Sequence, residues 1–223
     1  MELRGIAYNE LPLVYFSIEL NNGMLLDTPK KAGLAKLTAA MLNEGTADKT
    51  AAELEEAIGQ LGARIQVQSA TETMVLSGNC LKKTYPAVIK LVEEILTRPR
   101  LDDEAGFQLV KQRMIDNIRQ GATDPATIGV GVFKKLIFGE QSILGYFADG
   151  TEQSVEALTL EDVKNFYTAN ISQSIAKMSF VGGLSQQEVE KSLVSLSKNW
   201  KDTPVPAPIV TETDVKPAAK LYF

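Results

Sequence analysis

The sequence predicts an α+β fold, with helices packed on an antiparallel-rich mixed sheet, and three observations carry that prediction. Residues 13–20 alternate apolar and polar with a period of two, and residues 64–77 read as a hairpin of two further strands. Most of the chain beyond residue 84 changes to helical spacing, with apolar side chains three and four apart. Hairpins interspersed with runs of helices bury their apolar faces best as one layer on another.

Each element has its own local justification. In the strand over 13–20, Val14, Phe16, Ile18 and Leu20 face one way and Tyr15, Ser17 and Glu19 the other; Asn21, Asn22 and Gly23 end it. Over 29–43 the residues Leu34, Leu37, Met41 and Leu42 fall at helical spacing, and Gly45 stands where a helix stops. A second helix over 51–61 stops at Gly62. Ile65 and Val67 alternate with Arg64, Gln66 and Gln68, while Met74 and Leu76 alternate with Val75 and Ser77. The short polar link through Thr71 and Glu72 makes these two runs an antiparallel hairpin. Helices are expected over 84–97, 102–120 and 125–138, the first two separated by Pro99. Asp102, Asp103 and Glu104 suit the positive start of the second. Residues 139–151 read as a loop.

Thr159-Leu160-Glu161-Asp162 resembles a capping box, opening a helix striped by Leu160, Val163 and Phe166. Ala176, Met178 and Phe180 alternate with Lys177 and Ser179 as a further strand, ended by Gly182-Gly183. Ser185 to Glu188 is a second capping box, before a helix carrying Val189 and Leu193. These elements make one domain over 1–201. Residues 202–220, with Pro204, Pro206, Pro208 and Pro217, have linker composition. Leu221-Tyr222-Phe223 reads as the start of a strand in a following, truncated domain.

Bulk properties narrow the function. The chain has 223 residues, 44% hydrophobic and 23% charged, which is the composition of a soluble globular protein. A net charge of −5 with no basic patch argues against a nucleic-acid binder. Cys80 is the sole cysteine, so no intrachain disulfide forms. No apolar run approaches the ~18 residues that span a bilayer. Met1-Glu2-Leu3-Arg4 lacks the apolar core of a signal peptide and runs almost at once into strand-like sequence, as a fragment of a longer polypeptide would. The chain contains no histidine at all.

Ala32-Gly33-Leu34-Ala35 followed by Met41-Leu42-Asn43-Glu44-Gly45-Thr46 resembles the motif helix of the pitrilysin/insulinase-type zinc peptidases, which include the mitochondrial processing peptidases. The likeness runs on through Leu54 to Gly62-Ala63, Leu96 to Pro99, Asp124-Pro125, Gly150-Thr151 and Ser179 to Gly182, ending at Trp200. It implies the processing-peptidase-like metallohydrolase fold. Catalytic members carry His-x-x-Glu-His on this helix: two histidines four apart share a zinc ion, and the glutamate activates the metal-bound water. Aligned on Gly33-Leu34-Ala35, the first histidine position holds Lys36, the general-base position Ala39 and the second histidine position Ala40. The family spacing from Ala40 places the third ligand at Asn117, inside the long helix. All four functions are replaced, while the apolar positions Leu34, Leu37 and Met41 remain.

Other polar clusters have structural readings. Asp102-Asp103-Glu104 suits a helix start better than a cation site. Glu55-Glu56 and Glu93-Glu94 read as solvated helix faces, and Cys80 as a strand cysteine with no histidine to activate it. Gly129 and Gly131 lack phosphate-loop context, and Trp200 reads as a packing anchor. Lys36 has two readings: a solvent-facing lysine, or one that faces a chamber and touches substrate or a partner domain.

The resemblance implies a catalytically silent domain with no zinc of its own. It would close a proteolytic chamber and support peptide binding beside a separate zinc-bearing catalytic domain or subunit. No nucleic acid is implied, and a bacterial envelope suits the resemblance. Two alternatives remain: a stand-alone non-proteolytic scaffold subunit of the same fold, and an enzyme whose metal site is rebuilt from acids alone.

Overall fold

A computed structural model describes residues 1–8 and 10–208. Numbered in chain order, the strands are β1 (Glu2–Ala7), β2 (Leu13–Leu20), β3 (Gly45–Thr46), β4 (Lys49–Thr50), β5 (Arg64–Ser69), β6 (Met74–Leu81) and β7 (Ala176–Gly182). The helices are α1 (Leu34–Met41), α2 (Ala51–Gln60), α3 (Tyr85–Thr97), α4 (Glu104–Gly121), α5 (Pro125–Phe138), α6 (Glu152–Ala157), α7 (Leu160–Asn170), α8 (Gln186–Ser192) and α9 (Val194–Asn199). Five strands form one sheet in the order β1-β7-β2-β6-β5, antiparallel throughout except for the parallel β1–β7 pair. The α+β class and the antiparallel-rich mixed sheet are therefore as the sequence predicts.

The alternation along β2 decides which face is buried. Val14, Phe16, Ile18 and Leu20 lie in the core with the inward residues of β6 and β7, while Tyr15 and Val181 stay exposed on the other face. One cross-strand row runs Gly5, Phe180, Phe16, Gly78 and Ile65. The two rings fill the space over the flanking glycines: a Cβ on Gly78 would lie 2.5 Å from Phe16 Cζ. Tyr85 at the start of α3 meets Phe16 edge-on, with centroids 6.1 Å apart. The helical layer thus locks onto the sheet at its centre.

Several elements differ from the sequence reading. β1 is a full edge strand that alternation does not reveal, because only Leu3 of its six residues packs inward. The helix expected over 29–43 begins only at Leu34, since Gly33 takes φ 98, a left-handed conformation that interrupts helical geometry. α6 lies beyond the expected loop, held by a Thr151–Ser154 capping pair. The last helix is two, parted at Leu193.

Glu93 and Glu94 are not a solvated face but half-buried ties. Glu93 accepts hydrogen bonds from Ser195 and Asn199, and Glu94 pairs with Lys49 at 2.6 Å. Residues 201–208 are irregular and anchored, with Ser172 Oγ donating to the Thr203 carbonyl at 2.7 Å. Most of the expected linker, and the strand start at 221–223, lie outside the described residues. No described helix is long and apolar enough to cross a membrane.

Candidate functional site

α1 is placed by its own N-terminus. Gly33 has no side chain to cap the helix, and Asp27 does it from the preceding segment. Its two carboxylate oxygens accept the Gly33 and Ala35 amides at 3.0 Å each. Burial pushes the Asp27 carboxyl up to about 7, against the pull of these backbone amides, which favour its charged form. The helix then runs beneath the sheet edge, with Leu37, Ala39 and Met41 in the core.

Two glycines bring a distant loop onto the start of α1. A Cβ on Gly33 would lie 2.8 Å from the Asp149 carbonyl, and one on Gly150 would collide with the Ala32 carbonyl. Ser154 Oγ donates to that same Ala32 carbonyl at 2.8 Å. This close approach sets the Asp149 carboxylate against the Lys36 ammonium as an ion pair, both side chains about half exposed.

The pair stands in a cleft of about 840 Å³ bounded by α1, α2, α4 and the β5 edge. Lys36, Ala40 and Asn117 all line it, so three of the four residues expected at the motif positions converge although Asn117 is far away in sequence. Ala39 does not line it. That residue is 1% exposed and belongs to the core. Arg113 of α4 and Glu44 beyond α1 also line the cleft and pair at 3.2 Å. The floor is the edge of β5, from Ala63 to Gln66.

The donor set does not suit zinc. Lys36 is an ammonium held by a carboxylate, Ala40 has no donor, and the Asn117 amide is a weak ligand unaided. Among the described residues no three acids, cysteines or histidines converge on a common point elsewhere, so the acid-only alternative has no candidate there. Lys36 lines the cleft, about half exposed, and is tied to Asp149. Asp149 and Arg113 are cleft residues that sequence reasoning missed. Asp149 had the fainter trace. It sits in a stretch with no periodicity, and only its neighbour Gly150 carried a signal.

The remaining candidates take structural roles. Asp103 caps α4, accepting the Gly106 amide at 2.9 Å. Glu55 lines the rim of the cleft. Cys80 is buried in β6, and its thiol is pushed up to about 11 by that burial. Gly129 and Gly131 lie inside α5, and Trp200 is buried against the core.

α5 is unusual. None of its residues is buried, and Ile128, Val130, Val132, Phe133, Leu136 and Ile137 are all exposed, Phe133 by 61%. It flanks an apolar groove of about 530 Å³ that shares Asn117 and Asp149 with the cleft.

The family model of the insulinase peptidases, M16, matches residues 9–121. Over 162 residues the chain is 27% identical to the non-peptidase homolog YmxG of Helicobacter pylori, covering 71% of this chain and 37% of that protein. Over 178 residues it is 22% identical to an uncharacterised zinc protease of Streptomyces coelicolor, covering 80% and 38%. Among solved structures, a peptidase M16 inactive domain from Pseudomonas fluorescens superposes with a TM-score of 0.85 at 23% identity, over 92% of this chain and 50% of that one. A protease from Helicobacter pylori gives 0.83 at 14% identity, over 95% and 51%. The chain thus spans less than two fifths of these curated relatives and about half of these solved chains.

Proposed function

Because the chain belongs to the insulinase family of peptidases, M16, we propose that it is a catalytically silent domain of that family. It walls a proteolytic chamber beside a separate zinc-bearing catalytic domain or subunit. The reading rests on one observation above all. The motif positions Lys36, Ala40 and Asn117 face one cleft, as a working metal centre requires, yet none brings a competent zinc ligand. On this reading the four positions, with the buried Ala39, are a degenerate zinc site, and the chain holds no zinc of its own.

The names of its relatives fit that reading. One is a non-peptidase homolog and another an M16 inactive domain, while the Streptomyces relative is named a zinc protease. α5 also supports a partner. A helix that carries this many large apolar residues is ordinarily covered, and this one lies exposed beside the cleft. The zinc-bearing domain is the partner that reading assigns to it, and the substrate is a peptide enclosed between the two.

The experiment is reconstitution. The chain alone, loaded with zinc and offered a quenched fluorescent peptide, is expected to show no cleavage. Together with the remainder of its polypeptide or a neighbouring-gene subunit bearing His-x-x-Glu-His, it should support cleavage that is lost when the chain is withheld. Cleavage by the chain alone would refute the silent-domain reading. A partner fully active without it would leave the scaffold subunit as the better account.

A further inference from the structure

β5 is an edge strand of the sheet, and its outer edge forms the floor of the cleft. An exposed edge is a template for an added strand, because its outward amides and carbonyls lack partners. Along an antiparallel ladder the outward residues alternate with the inward ones. On β5 the two bonds made outward by Val67 identify its parity: Ile65, Val67 and Ser69 turn outward, while Gln66 and Gln68 bond to β6.

Val67 is already occupied. Its N–H donates to Asn43 Oδ1 at 2.9 Å, and its carbonyl accepts from Asn43 Nδ2 at 3.0 Å. The second Nδ2 proton goes to the Ala39 carbonyl on α1 at 2.9 Å, so three partners together fix which way the amide points. The carboxamide reproduces both bonds that a neighbouring strand would make at that residue. Past the end of β5 the hairpin turn is held as well, since the amides of Gly23, Met24 and Leu25 donate to the Glu72, Ala70 and Thr71 carbonyls. Of the outward residues of β5, Ile65 is the one that lines the cleft.

We propose that Asn43 seals the β5 edge against strand addition at its middle, so that an extended polypeptide in the cleft is denied backbone pairing at Val67 and cannot extend the sheet along this strand. This deepens the chamber-wall reading and rests on it for the identity of the polypeptide. The seal itself rests only on the geometry of Asn43, so the two can fail separately. One device accounts for two features, the fixed position of α1 against the sheet and the shortness of the free edge.

The test is amide hydrogen exchange and a titration on the 223-residue chain, labelled with nitrogen-15. In the unaltered chain the Val67 amide should exchange about 100-fold more slowly than that of Ile65. The probe is an acetylated and amidated peptide of alternating threonine and valine. It should shift no amide of β5 in the unaltered chain, and should shift Ile65 and Val67 in Asn43→Ala, with affinity raised at least about tenfold. Equal exchange at Val67 and Ile65 in the unaltered chain would overturn the proposal. So would equal probe binding by both chains, or a folded Asn43→Ala that still binds no probe. Should Asn43→Ala not fold, the exchange rates and the titration of the unaltered chain decide.

Discussion

The Lys36 ammonium on α1 is paired with the carboxylate of Asp149, in the loop before α6, at the point where the cleft meets the α5 groove. On the proposed alignment, a fixed cation of the chain's own stands where the first ligand of the motif would be. Since both side chains are about half exposed, the pair is a local positioning contact, worth about 0–1 kcal/mol and weakened by salt.

That placement makes the degenerate site testable by rebuilding it. Lys36→His, Ala40→His and Asn117→Glu together should bind zinc, because those positions share one cleft and two of them lie four apart on α1. Isothermal titration would read the binding, and its absence would show that the cleft geometry does not carry a metal centre. Ala39→Glu is expected to behave differently. Ala39 is in the core, so a carboxylate there should cost roughly 2–4 kcal/mol in urea unfolding.

Asp27 should make stability depend on pH. Its folded value of about 7 lies above the ordinary 3.8, so the folded state binds the proton more tightly. Its contribution is then fully present below about pH 3.8 and is lost as pH rises through about 7. Urea midpoints measured between those limits should fall with rising pH, and Asp27→Asn should flatten that part of the profile. An unchanged slope in the variant would assign the effect to other groups.

Gly150→Ala and Gly33→Ala should each destabilise the chain by roughly 1–3 kcal/mol, since both glycines have positive φ and press against backbone carbonyls. The Gly150 change should be the more severe, and thermal melts of the two variants give the ranking. Nuclear magnetic resonance shifts at Lys36 would report whether the Asp149 loop has moved.

The α5 surface predicts a dissociation of stability from association. Val130→Ser with Phe133→Ser should leave the urea midpoint within about 0.5 kcal/mol, because neither residue is buried. The same pair of changes should lower self-association of the chain in light scattering, and should weaken its capture by the proposed zinc-bearing partner. A large loss of stability would mean that α5 packs within this domain.

Much of the fold was legible because one-sided burial leaves a periodic trace. β2 and α3 carry clean patterns over eight and thirteen residues, each with a continuous apolar face against the core. β1 left almost none, since an edge strand with one inward-packing side chain has little reason to alternate. α6 is too short to show a period, and the reciprocal residue of its Thr151 capping box is Ser154 where a glutamate or glutamine would have marked the box. The chemistry of the motif positions was equally plain, because residue type alone decides whether Lys36, Ala39, Ala40 and Asn117 can hold a metal.

What the sequence by itself determined, then, was the layer architecture, which follows from side-chain type and short-range spacing, and the absence of any histidine; the resemblance added the proposed motif positions. The tertiary structure decided which of those positions meet. It set Asn117 across from Lys36, sank Ala39 into the core, and brought Asp149 to Lys36 through the close approach of two glycine-bearing segments. It also turned Asn43 from a motif letter into the partner of Val67. Contacts between residues far apart along the chain depend on how the helices settle on the sheet, and no local pattern encodes that.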